Sequence, residues 1–126
     1  MMSFSAVLIG LFIAASSAQD AARSTAIPER FHGDWSSDLS RCHDRESGLN
    51  VAISDNALTY FEEGDTVISV TPAESNGIHV IVDHEDYDGM ERLGRTMILS
   101  DDLQTLFFAY GDGPEWTVMR CPPQGK

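Results

Sequence analysis

Residues 66–83 read TVISVTPAESNGIHVIVD, and this stretch decides the fold. Residues 66–71 are rich in β-branched side chains, which suit a pleated strand. Pro72 is expected to stop that strand. Glu74-Ser75-Asn76-Gly77 supplies a turn, with the Asn76-Gly77 pair favoured in type I′ hairpins. Ile78, Val80 and Val82 then alternate with His79 and Ile81, the period of a half-buried strand. Two such strands joined by a tight turn form an antiparallel hairpin.

The same pattern repeats outward in both directions. Upstream, FHGDW at 31–35 opens the domain, residues 36–41 form one helical turn leading to Cys42, and residues 43–48 make a polar loop. Leu49, Val51 and Ile53 alternate until Ser54-Asp55-Asn56 turns the chain, and residues 58–61 form a strand that ends at Glu62-Glu63-Gly64-Asp65. Downstream, residues 83–89 (DHEDYDG) read as an acidic turn and residues 91–99 as a strand. Ser100-Asp101-Asp102 reverses the chain, and residues 103–110 (LQTLFFAY) form the most apolar strand. Residues 111–114 turn again, and residues 115–120 come last before Cys121 and a Pro-Pro tail. About eight short strands with hairpin-length links and no long helical segment predict an all-β fold. The expected topology is an antiparallel up-and-down meander closed into a small barrel, with a β-sandwich as the alternative.

The N-terminus carries a different signal. Residues 4–15 (FSAVLIGLFIAA) are an apolar run of about a dozen residues, short of the roughly twenty that span a bilayer. Small residues at Ser16 and Ala18 fit the −3 and −1 positions of a signal-peptide cleavage site. Residues 1–18 are therefore expected to be a signal peptide cut after Ala18. The remaining segments are a flexible lead-in at 19–27, a single β domain at 28–122 and a tail at 123–126. Export, to a periplasm or the medium, gives the two cysteines a meaning. In an oxidising compartment Cys42 and Cys121 are expected to pair, and with only two thiols the connectivity is unique.

The formal charge is −12, and residues 1–18 carry none of it. So acidic a domain repels nucleic acid and anionic membrane surfaces. It attracts cationic partners.

Gly33-Asp34-Trp35 at the start of the first strand resembles the opening signature of the lipocalins and the wider calycin group of up-and-down barrels. The resemblance implies that Trp35 packs at the closed end of the barrel. It also implies that a basic residue from the last strand, here Arg120, lies across the indole as a cation–π pair. A disulfide tying the last segment back is common in that group. The run Ile27-Pro28…Phe31-x-Gly33-x-Trp35 with Arg120-Cys121-Pro122 is also similar to small exported bacterial proteins of unassigned function. The likeness covers these residues and the strand count rather than the whole chain.

Residues that could carry chemistry are sparse. His84, Asp86, Asp88 and Gly89 sit as in an EF-hand loop, but its first position is His84 and its twelfth is Arg95, where carboxylates are needed. His32, His43, His79 and His84 make no metal-ligand spacing, and no nucleophile elbow, P-loop or dinucleotide fingerprint occurs. No catalytic residue, metal or cofactor is expected. Tyr60, Phe61, Phe107, Phe108, Tyr110 and Trp116 can line a pocket or simply pack a core. The expected function is a non-enzymatic exported binding module whose ligand is a small apolar molecule or a cationic protein. Periplasmic lysozyme inhibitors offer an analogy of size, compartment and charge only. The alternatives are an envelope-structural protein without a small ligand and a small enzyme with a loop-borne site.

Overall fold

The computed structural model describes residues 24–109 and 115–123. Eight antiparallel strands close into a barrel in sequence order: β1 (Gly33–Ser36), β2 (Asn50–Ile53), β3 (Ala57–Tyr60), β4 (Glu63–Ala73), β5 (Gly77–Asp86), β6 (Gly89–Leu99), β7 (Thr105–Ala109) and β8 (Trp116–Arg120). The β8–β1 pairing of Trp35 with Arg120 and Ser36 with Met119 closes the ring. The meander is therefore a barrel and not a sandwich. The expected signal segment, its cleavage site and Tyr110 lie outside the described residues.

Period-two alternation places one face of each strand inside. Val51, Ile53, Leu58, Val80, Val82, Met97, Leu99, Leu106, Phe108 and Val118 are buried along the barrel interior. Adjacent aromatic residues divide as the pleat requires: Phe108 is buried and Phe107 is exposed.

Several boundaries differ from the sequence reading, each for a local reason. The first strand starts at Gly33 as expected, and Phe31 ahead of it lies in a 3-10 turn, Glu29–Phe31, which starts after Pro28 and places the ring in the core. β4 starts at Glu63 and continues through Pro72. Pro72 lies beyond the end of β3, where β4 has no neighbouring strand on that side and a missing N–H is tolerated. The left-handed residues of the β4–β5 turn are Ser75 (φ 55°) and Asn76 (φ 61°), one position earlier than the expected pair. Gly77 instead opens β5 as a point of close approach. A Cβ there would sit 3.0 Å from the carbonyl oxygens of Glu74 and Met97.

The expected acidic turn at 83–89 is mostly strand. β5 runs to Asp86, and only Tyr87 and Asp88 turn the chain before β6. Asp83 on the outer face is paired with Arg92 at 2.8 and 3.1 Å, while His84 points inward. The most apolar strand begins at Thr105 rather than Leu103, which takes a left-handed φ of 66° in the turn.

Part of the expected flexible lead-in is fixed. Ser24 bridges Val70 of β4 through two backbone hydrogen bonds of 3.0 and 2.7 Å, and Ile27 is buried. β4 carries a bulge between Val67 and Ser69 next to this bridge.

Cys42 and Cys121 form a disulfide, with 79 residues of sequence separation. Cys42 follows a 3-10 turn (Leu39–Arg41) after β1, and Cys121 follows β8, so the bond spans the seam where the barrel closes. A loop of this length removes much denatured-state entropy. Replacing both cysteines with alanine is expected to cost about 2–4 kcal/mol. The measurement is the urea unfolding midpoint, and an unchanged midpoint would contradict it.

Candidate functional site

The two ends of the barrel differ in chemistry. At one end the Trp35 ring is fully buried, and its indole N–H donates to Phe31 O at 3.0 Å. The Arg120 guanidinium lies 4.3 Å from the ring centroid. Its N–H groups donate to the carbonyls of Leu103 (2.9 Å), His32 (2.8 Å) and Arg30 (2.8 Å). Burial pushes the Arg120 pKa below its ordinary value. Gly33 makes the arrangement possible. Its φ is 127°, and a Cβ would come within 3.3 Å of Arg120 Nη1. This end is corked by the protein's own side chains.

The other end opens into a cleft of about 630 Å³, lined by Tyr60, Leu93 and Trp116 and by Glu63, Asp86, Glu91 and Glu115, among others. Its floor is a polar network. Asp65 is 2 % exposed. Its Oδ2 accepts from Arg95 Nε (2.6 Å) and Tyr60 OH (2.9 Å), and its Oδ1 accepts from Arg95 Nη2 (3.1 Å). His84 Nδ1 lies 2.7 Å from the same Oδ1. Nδ1 also lies 3.3 Å from Arg95 Nη2, and its donation to this carboxylate requires the Nδ1–H tautomer. That fixes the ring with Nε2 towards the cleft, 3.2 Å from Glu63 Oε1 and 3.6 Å from Asp86 Oδ2.

Above the floor, Tyr60 and Trp116 stand 6.3 Å apart, and Trp116 leans on Phe108 at 5.4 Å. Phe61 in the β3–β4 turn lines the cleft with a partly exposed ring, and Tyr87 and Met90 are exposed at the end of the β5–β6 hairpin. The Tyr87 phenol is pushed above its ordinary pKa by a hydrogen bond to Glu62 and by that carboxylate's charge. On the outer wall of the same hairpin, the hydrogen bond from Arg92 holds the Asp83 carboxyl below the usual range.

Of the histidines, only His84 joins this cleft. His79 is exposed and bonds Thr96 Oγ1 (2.9 Å), His32 bonds Ile27 O (2.7 Å), and His43 is exposed on the loop after Cys42. Asp86 accepts from the Asp88 N–H (2.8 Å) within the turn. Among the described residues, no three His, Cys, Asp or Glu side chains stand in a metal-holding arrangement. Also among the described residues, no helix is long and apolar enough to cross a membrane.

No local sequence motif announces the Asp65–Arg95–His84 network. Asp65 shares inward parity with Val67, and Arg95 with Met97 and Leu99, which is the signal that points to it. Comparison with protein families, with curated proteins and with solved structures finds no match.

Proposed function

We propose that the protein is an exported, non-enzymatic binding module whose partner is a cationic protein. The observation that carries this reading is the open-end cleft, where four carboxylates ring an aromatic wall and the buried Arg95 is already committed to Asp65. The domain's net negative charge adds long-range attraction for a basic partner. A small apolar ligand suits the geometry less, because core side chains fill the barrel below the cleft. The disulfide fits an oxidising compartment and supports export with loss of residues 1–18. The Trp35–Arg120 end supports a calycin-like reading of the barrel. Small exported barrels that inhibit basic lysozymes are an analogy of size, compartment and charge.

The test compares location with net charge. Immobilised protein should retain hen lysozyme, a basic probe, in a salt-sensitive way. Glu63→Gln/Asp86→Asn/Glu91→Gln is expected to weaken retention by about tenfold, or about 1.4 kcal/mol. Asp55→Asn/Glu74→Gln/Asp101→Asn removes the same charge from turns at the corked end and should change it little. Equal losses from both variants would mean non-specific attraction and would overturn the reading.

A further inference from the structure

We propose that the open-end cleft is a guanidinium site, taking one arginine side chain of the partner against Trp116. The inference rests on the cationic-partner reading and sharpens it. The molecule shows what it does with an indole at a barrel end. At Trp35 a guanidinium lies over the ring and hands its N–H groups to surrounding oxygens. At the opposite end an indole and oxygen acceptors recur, with Arg95 and His84 also in the lining and Arg95 set over Tyr60 rather than over the indole. Trp116 is only half-buried and is held by Phe108 at 5.4 Å and Tyr60 at 6.3 Å. Among the described residues, the guanidinium groups over rings are Arg30 on Phe31, Arg95 on Tyr60 and Arg120 on Trp35, and none lies over Trp116.

The oxygens around the cleft are carboxylates rather than carbonyls: Glu91 and Glu115, with Glu63 and Asp86, which also face His84 Nε2 at 3.2 and 3.6 Å. Arg95 cannot supply the missing charge from below. It makes two hydrogen bonds to Asp65, which balances it. A guanidinium suits this arrangement better than an ammonium. Its plane stacks on an indole while its five donors spread towards several carboxylates, and it is the more weakly hydrated cation. The exposed ring of Phe61, which lines the cleft, offers apolar contact to the backbone beside that arginine.

The test is an NMR titration of the full domain at low salt with acetyl-Gly-Gly-Arg-Gly-Gly-amide and its lysine and citrulline counterparts. The indole N–H of Trp116 is the reporter, and that of Trp35, hydrogen-bonded in the core, is the internal reference. The arginine peptide should shift Trp116 in a saturable way and leave Trp35 still. The lysine peptide should bind about threefold or more weakly, and the citrulline peptide should have no effect. Glu91→Gln, a surface change, should weaken the arginine peptide about twofold or more, and Trp116→Leu, read on backbone amides of β6, by about fivefold. Equal binding of lysine and arginine would overturn the guanidinium assignment. So would lysozyme binding that leaves Trp116 unmoved, and in both cases the cationic-partner reading survives. Failure of lysozyme to bind at all would instead overturn that reading.

Discussion

Replacing Asp65 with alanine is expected to destabilise the barrel by about 3–5 kcal/mol, among the largest effects of any single substitution. The carboxylate serves three neighbours at once. It compensates the Arg95 guanidinium, accepts the Tyr60 hydroxyl and orients His84. Removing it leaves a cation that is only 8 % exposed without its counter-charge. The desolvation cost of that cation then stands uncompensated. The urea unfolding midpoint measures the loss. A second variant separates the stranded charge from simple loss of packing. Asp65→Leu/Arg95→Met removes both charges and should recover most of the stability, because apolar side chains of similar volume can replace a buried pair at little cost. A double variant as unstable as Asp65→Ala would show that packing, not the unpaired charge, sets the penalty.

The second large effect is at the corked end. Trp35→Ala is expected to cost about 3–5 kcal/mol, the range for deleting a large buried aromatic side chain. Three interactions are lost together: the ring's core contacts, the N–H bond to Phe31 O and the platform under Arg120. Trp35→Phe keeps a ring but leaves the Phe31 carbonyl short of a donor, at about 1–3 kcal/mol. Thermal or urea unfolding resolves the two variants. An alanine variant within about 0.5 kcal/mol of the parent, the range of a neutral surface change, would contradict the role of Trp35 in the core.

Much of the fold is legible in the sequence because turn chemistry and alternation agree. Thr66, Ile78, Val80 and Val82 declare a hairpin, and Ser54-Asp55-Asn56 and Ser100-Asp101-Asp102 punctuate the chain where the structure turns. The misreadings occur where those two signals part. Asp83 to Asp86 look like a turn because all four are polar. The β5–β6 arm nevertheless keeps strict pairing, from Asp83 with Arg92 to Asp86 with Gly89. Its outer face is wet and its inner face lines the polar cleft, so polarity there marks a two-faced strand. The bulge between Val67 and Ser69 is a different obstacle. It moves the inward parity from Val67 to Val70, so counting by twos from the apolar half of β4 puts Asp65 on the wrong face. Asp65, His84 and Arg95 come from three strands, separated by 19 and 30 residues from the first to the others. No local motif can join them, whereas Gly33, Trp35 and Arg120 meet at the seam where the first and last strands pair.

The position of the disulfide also sets a path for mechanical load. Strands β2 to β8 lie between Cys42 and Cys121, inside a covalent loop, while β1 lies outside it. Tension applied at the two chain ends passes from one cysteine to the other through the sulfur bridge. It can peel β1 from its neighbours and undo the Ser24–Val70 stitch, but the chain from β2 to β8 cannot be drawn out while the bridge is intact.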